Sequence, residues 1–125
     1  MNRIASYHLR AAAAYGVLGM LWGAYMASVQ DHLMFPAHGH LSLLGWVSVM
    51  LFGLFFLIRP AAAEESLAPL QLWSTHVGIV LFVPGLALTV NGLAIGMTML
   101  AIGALGLIIS AVSFAWIVFR HTHVR

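Results

Sequence analysis

The chain contains no cysteine, and only 6% of its 125 residues are charged. Without cysteine it has no disulfides, thiolate metal sites, iron–sulfur clusters or covalent haem attachment. A soluble domain carries about 25% charged residues, so this chain has too few to cover a surface that faces water. Since 62% of the residues are hydrophobic and the mean hydropathy is +1.01, we predict an integral membrane protein.

The chain also lacks lysine, and all of its basic residues are arginines: Arg3, Arg10, Arg59, Arg120 and Arg125. A net charge of +2 with a sequence pI near 9.7 could indicate nucleic-acid binding in a soluble protein. Here the arginines lie at the ends of apolar segments, where they report membrane topology instead. We therefore expect no nucleic-acid partner.

Four apolar segments are long enough to cross a bilayer as helices, because about 20 residues at roughly 1.5 Å rise per residue are sufficient. We place them at about residues 9–29, 37–58, 70–90 and 94–119. The short connections predict an all-α fold, a four-helix up-down bundle that forms one transmembrane domain over residues 1–125. All the arginines then lie on one side, which the positive-inside rule assigns to the cytoplasm. We expect both termini there, in a bacterial inner membrane, with residues 120–125 forming a basic tail.

Small residues recur at helical spacing in the first and fourth segments. The first segment has Ala12, Gly16, Gly19, Gly23 and Ala27, and the fourth has Gly103, Gly106, Ser110 and Ser113. In lipid, such faces let helix backbones approach closely. They favour packing inside the bundle or with a second copy, and we expect a homodimer that uses them.

Two histidines, His38 and His40, open the second segment, and Asp31 and His32 precede it closely. Titratable groups at membrane depth are costly and are read as functional. At 100° per residue the two histidines point about 200° apart, His38 toward the small and polar face with Ser42 and His40 toward lipid or a partner subunit. Three interpretations stay open: His38 alone is an inward ligand, a frayed first turn lets both histidines meet one metal, or the pair lies in the headgroup region without a ligand. With Asp31 and His32 they would suit copper or zinc.

A second possible site lies near the inner surface, where His76 and His8 occur in the third and first segments. Each is either a hydrogen-bonded bundle histidine or a ligand. If the hydrocarbon is ~30 Å thick, His38 and His76 differ in level by roughly 20 Å, so they should not bind one iron within a subunit. An inner haem would use His76 with His8, and Arg10 suits its propionates.

The run from His38 to Pro60, which begins His-Gly-His-Leu-Ser-Leu-Leu-Gly-Trp, resembles the second helix of catalytic subunit I in haem–copper oxidases, especially the nitric-oxide reductase branch. In that family this helix begins near the outer face with a histidine that binds the low-spin haem. The resemblance implies haem b, with His38, or His40 if the register slips, as an axial ligand. It also implies electron transfer, or sensing of a diatomic gas if one axial position stays open.

The chain departs from that family after its fourth helix. The further histidines of the family's catalytic centre, including the adjacent His-His pair, have no counterpart here. Oxygen or nitric-oxide reduction by this chain alone is therefore not expected, and a redox partner would be needed for electron transfer. Two other functions stay open: a copper or zinc protein with the outer site, and an accessory subunit that docks on a larger membrane complex.

Overall fold

The structure, a computed structural model, describes residues 2–122, and within that range it contains helices and turns but no strand. Each of its four main helices is long and apolar enough to cross a bilayer. These helices are α1 Arg3–Val29, α2 Phe35–Ile58, α3 Ala68–Val90 and α4 Ala94–His121. A short 3-10 turn, Pro60–Glu64, occupies the connection between α2 and α3. The all-α, four-helix prediction is confirmed, with helix ends that differ by a few residues.

The largest difference is at the start of α1, six residues before the predicted one. Asn2 caps this helix, because its side-chain oxygen accepts a hydrogen bond of 2.8 Å from the backbone N–H of Ala5. The Asn2 amide also donates to the carbonyl oxygen of Phe56 at the end of α2, at 2.8 Å. A prediction from the length of an apolar segment finds only the apolar part of a helix. It misses a polar first turn that is stabilised by a capping residue such as Asn2.

The first helical hairpin consists of α1 and α2, whose backbones approach along the small face of α1. A methyl group added at Gly16 would lie 2.9 Å from the Trp46 ring, and one at Gly23 would lie 3.0 Å from the His38 ring. Because the glycines of α1 have no side chain, side chains of α2 can pack directly against the α1 backbone. The small face predicted for α1 packs inside the chain.

The second hairpin, α3 with α4, is packed more closely still. A methyl group added at Gly85 would lie 2.5 Å from the backbone nitrogen of Leu100, and one at Gly103 would overlap the backbone of Phe82. Ser110 and Ser113 of the same α4 face are buried as well. The faces from which we expected a homodimer are thus covered by helices of the same chain. The homodimer stays a prediction and requires other surfaces.

The two hairpins meet through aromatic rings near the end of the bundle that carries the N-terminus. Phe114 of α4 lies 4.4 Å from Phe52 and 5.2 Å from Phe55 of α2, measured between ring centroids. Phe56 is fully buried in the same cluster. This apolar contact joins the hairpins directly beside the polar groups described below.

The second helix is not regular, because residues Leu41–Ser48 form a π-helix between two α-helical parts. Four residues exceed one turn of an α-helix by about 40° but fall short of one turn of a π-helix, so the two kinds of segment offset each other along α2. Ala37, Leu41, Gly45, Val49 and Gly53, each four residues from the next, are accordingly all buried. The 100° arithmetic applied to the predicted helix does not hold across this segment.

Candidate histidine site between the two hairpins

Two imidazole rings from different hairpins lie side by side near the N-terminal end of the bundle. The ring centroids of His8 on α1 and His76 on α3 are 5.2 Å apart, with an angle of 38° between the planes. His8 is fully buried, whereas His76 is partly buried. The structure therefore brings together the two histidines that we proposed for an inner site.

His8 is held by Gln71, which lies on α3. The Nε2–H group of His8 donates to Oε1 of Gln71 at 2.9 Å, because an amide oxygen can only accept. The Gln71 amide donates in turn to the hydroxyl oxygens of Thr75, at 3.1 Å, and Ser110, at 3.3 Å. Thr75 and Ser110 are also hydrogen-bonded to each other. This buried chain links three helices and fixes the orientation of the His8 ring.

His76 has a hydrogen-bond partner on only one ring nitrogen. Its Nδ1 atom lies 3.2 Å from the hydroxyl oxygen of Tyr15 on α1. Its Nε2 atom is buried and has no partner among the described residues. A histidine that binds a metal through Nε2 is commonly oriented by a hydrogen bond on its other nitrogen, and His76 with Tyr15 has that arrangement.

The Nδ1 atom of His8 is the second buried nitrogen without a partner at this site. Since Nε2 of His8 carries the proton, Nδ1 carries a lone pair that nothing in the described part of the chain uses. Burying an unpaired polar nitrogen costs free energy. Two such nitrogens on adjacent rings form the strongest candidate ligand set in residues 2–122.

Apolar groups surround the pair. The ring of Phe56 is stacked on that of His8, with centroids 5.9 Å apart, and Phe52 meets His8 edge-on at 5.8 Å. On the other side His76 lines a cleft of about 220 Å³ between α1 and α3, together with Tyr7, Ala11, Leu72 and Trp73. A group bound by the histidines would therefore have an environment of low polarity.

The outer residues are arranged differently. Asp31 accepts a hydrogen bond from the Leu33 backbone at 3.0 Å, so it stabilises the turn before α2. His32 is exposed, and exposed His40 bonds through Nδ1 to the carbonyl oxygen of Pro36 at 2.7 Å. His38 is half-buried against Gly23, and its Nδ1 atom is buried without a partner.

Within residues 2–122, no three histidine, aspartate or glutamate side chains lie close enough together to hold a metal ion. The four residues proposed for copper or zinc, Asp31, His32, His38 and His40, are therefore not assembled into one site. His40 is exposed, and its ring lies 5.1 Å from that of Phe82 on α3. We had expected that ring to face lipid or a partner subunit.

The separation between the two histidine sites is smaller than the roughly 20 Å that we expected from the bilayer thickness, but the conclusion is the same. His38 packs on Gly23, and His76 bonds to Tyr15, eight residues earlier on the same helix. Eight residues correspond to about 12 Å along the axis, too far for the two imidazoles to share one iron. Arg10, proposed for haem propionates, is exposed and lies about 160° around α1 from His8.

Several polar residues of the site escaped the sequence reading. Gln71 and Thr75 are buried on α3, and Tyr15 is partly buried on α1. Gln71 could have been recognised from the sequence, because a polar side chain near the start of an apolar segment usually forms a hydrogen bond with another residue of the bundle. His121, assigned to an exposed tail, lies in α4 and bonds to Glu65 at 3.0 Å. The tail residues 123–125, including Arg125, lie outside the described part of the chain.

Comparison of the chain with known proteins gave no matching family model, no matching curated protein and no matching solved structure. The fold and the site define the chain only as an all-helical protein with four potential membrane spans and a buried histidine pair. None of these comparisons links the chain to subunit I of the haem–copper oxidases, so that resemblance, which is specific only from His38 to Pro60, stays a prediction.

Proposed function

We propose that the protein is a four-span membrane protein with both termini on the cytoplasmic side, in the inner membrane of a bacterium. Four helices of sufficient length and hydropathy support the spans. Arg3, Arg10, Arg59 and Arg120 support the orientation, because all four belong to the same end of the bundle and the positive-inside rule assigns that end to the cytoplasm.

We further propose that the protein binds haem b and that His8 and His76 are its axial ligands. The observation that carries this proposal is the pair of buried nitrogens without partners, Nδ1 of His8 and Nε2 of His76, on rings 5.2 Å apart. The two rings come from different hairpins, so they can hold a group between them. Tyr15 on α1 is hydrogen-bonded to the His76 ring, and Gln71 on α3 is hydrogen-bonded to the His8 ring.

The number of available ligands favours haem over a bare metal ion. Structural and catalytic zinc sites need three or four protein ligands, and no such group exists among residues 2–122. The haem macrocycle itself supplies four ligands to iron, so two histidines complete the coordination. The copper or zinc alternative would require ligands that the described part of the chain does not bring together.

The site must open slightly to accept the group. Iron–nitrogen bonds of about 2 Å, close to those of zinc, place the centroids of two axial imidazoles roughly 6 Å apart, compared with 5.2 Å here. The cleft of about 220 Å³ beside His76 is also smaller than ligand pockets of ~300–1,000 Å³. Accepting the macrocycle would require the hairpins to move apart, and this would also lengthen the His8–Gln71 and His76–Tyr15 hydrogen bonds, because each of them joins the two hairpins. Bound haem would supply reversible one-electron chemistry, which suits electron transfer to a redox partner.

A haem at the outer end is the second candidate, as the resemblance of α2 implies. The observation in its favour is the buried Nδ1 atom of His38, which also lacks a partner. Its ring, however, is packed against Gly23, where the two helices of the first hairpin are already in contact. The inner pair is therefore preferred.

The absorption spectrum of the detergent-purified protein, oxidised and dithionite-reduced, tests the proposal. We expect a Soret band and a reduced α-band that are lost in His8→Ala and His76→Ala and kept in His40→Ala, whose ring is exposed. Loss of the bands in His38→Ala alone would place the haem at the outer end. Circular dichroism and gel filtration of each variant separate loss of haem from loss of fold.

Absence of a Soret band after supplementation with haem would contradict both haem sites. Elemental analysis of the same sample for copper and zinc would then test the metal alternative. A protein with neither haem nor metal would fit the accessory subunit, whose partner could be identified by purification from mild detergent.

A further inference from the structure

We propose that the cleft between α1 and α3 binds an anionic phospholipid of the leaflet at the arginine-bearing end of the bundle. Its phosphate would contact Arg3 and Arg10, and one acyl chain would follow α3. The arginines and aromatic residues that support this site are not proposed as haem ligands, but His76 lines the same cleft, so lipid and haem would compete for it.

Two arginines and a tyrosine form a stripe along the exposed side of α1. Arg3, Tyr7 and Arg10 are spaced by four and three residues, which places them within about 60° of one another around the helix. All three are exposed. Within residues 2–122 neither arginine forms an ion pair, whereas Arg120 is paired with Glu65 at 3.5 Å. The stripe therefore presents two uncompensated positive charges.

Tyr7 also lines the cleft of about 220 Å³ that separates α1 from α3, opposite Trp73. The two aromatic side chains are 58% and 66% exposed, so they frame the opening and do not belong to the core. Tyrosine and tryptophan side chains favour the headgroup level of a bilayer, since one end is polar and the other apolar. Long arginine side chains reach the same level from deeper positions.

The apolar surface continues from Trp73 along α3. A second cleft of about 320 Å³ is lined by Trp73, His76, Val77, Val80 and Leu81. It extends away from the arginines by more than two helical turns. The surface thus carries Arg3, Tyr7 and Arg10 along α1, Trp73 across the cleft on α3, and an apolar groove that continues along α3.

This order matches an amphiphile that has an anionic head and a long apolar chain. Basic pockets between transmembrane helices on the cytoplasmic side bind phospholipid headgroups in this manner. A free phosphate ion would use the arginines but leave the groove unexplained. A zwitterionic lipid would fill the groove but leave one positive charge of its own near the arginines.

Native mass spectrometry of the detergent-solubilised protein, titrated with phosphatidylglycerol or with phosphatidylcholine of the same acyl chains, tests this site. We expect the wild type to retain phosphatidylglycerol more strongly. Arg3→Gln and Arg10→Gln should each weaken that binding about fivefold, as expected for one arginine at an anionic surface. Arg59→Gln is the matched control, because Arg59 is an exposed arginine at the same end of the bundle, directly after α2. Trp73→Leu should weaken both lipids alike.

Equal retention of the two lipids by the wild type would overturn the proposal, and so would an effect of Arg59→Gln as large as that of Arg10→Gln. Complete displacement of phosphatidylglycerol by inorganic phosphate at matched concentration would reduce the site to an anion site. Arg10→Lys, which keeps the charge, should retain most of the binding and so excludes misfolding as the cause. Lipid binding is measured on protein without haem, and its outcome does not depend on the haem proposal.

Discussion

At the scale of single residues, the main cost in this chain is the burial of polar side chains among apolar ones. His8, Gln71, Thr75 and Ser110 are all buried and are joined by hydrogen bonds that cross from α1 to α3 and α4, although Nδ1 of His8 stays without a partner. In such a network the loss of one member leaves its partners without hydrogen bonds in a medium where water cannot replace them. The network therefore determines how the hairpins are aligned.

Thr75→Val tests this view, because valine has nearly the shape of threonine but no hydroxyl group. Gln71 and Ser110 would each lose a hydrogen bond. We expect the free energy of unfolding in detergent to fall by about 1–2 kcal/mol. Unfolding by sodium dodecyl sulfate, followed by circular dichroism, provides the measurement. Thr98→Val is the matched control at an exposed position of α4, where a change below about 0.5 kcal/mol is expected. Equal effects of the two substitutions would contradict the network.

At the scale of helices, the protein consists of two helical hairpins. The two helices of each hairpin pack against each other more closely than the two hairpins do. Glycines give α3 and α4 backbone contact, and they let side chains of α2 lie against α1. In the membrane proposed for this protein there is no hydrophobic driving force between helices, so this close packing would be the main source of their attraction. The π-helix of α2 contributes to it, because it keeps Leu41, Gly45 and Val49 in line toward the rest of the bundle.

Gly103→Ala is expected to separate α3 from α4. Its new methyl group would meet the backbone of Phe82, which cannot move aside as a flexible side chain could. Overpacking of this kind costs about 1–3 kcal/mol. Gly39→Ala is the control, since nothing lies within 4 Å of the added carbon. It should leave stability unchanged or raise it by up to about 1 kcal/mol. The two variants can be compared by thermal unfolding in detergent, and equal stability would show that the hairpin is less tight than described.

At the scale of the whole molecule, the distribution of charge predicts how the bundle lies in a membrane. The described arginines belong to one end of the bundle, and the turns at the other end, residues 30–34 and 91–93, contain only Asp31 as a charged residue. Exposed large apolar residues occur along all four helices, which is the surface expected of a protein surrounded by lipid.

The absence of cysteine makes this topology directly testable. Single cysteines at His32, in the turn before α2, and at Ser66, in the connection before α3, introduce one thiol each at exposed positions. In intact cells a membrane-impermeant maleimide should label His32→Cys, whereas Ser66→Cys should react only after the cells are permeabilised. The reverse pattern would invert the proposed orientation. Labelling of both in intact cells would contradict four-span insertion.

The sequence predicted the histidine pair at the inner end of the bundle better than the cluster at the outer end. The inner pairing of His8 and His76 followed from helix direction and depth alone, because α1 and α3 start on the same side. The outer cluster failed as a four-residue site since Asp31 caps a turn and His40 bonds to its own helix. Gln71 and Tyr15 were missed because their role depends on neighbours from other helices.

The sequence by itself determined the number of helices, their approximate ends and the apolar surface, since these depend on local hydropathy and length. It also determined that any metal or haem would have to be held by histidine. Only the tertiary structure decided which glycine face meets which helix, that α2 contains a π-helix, and that two buried ring nitrogens lie unpaired beside each other. The glycine contacts and the histidine pair depend on residues that are distant in sequence, from Gly85 with Leu100 to His8 with Gln71, and no local pattern encodes them.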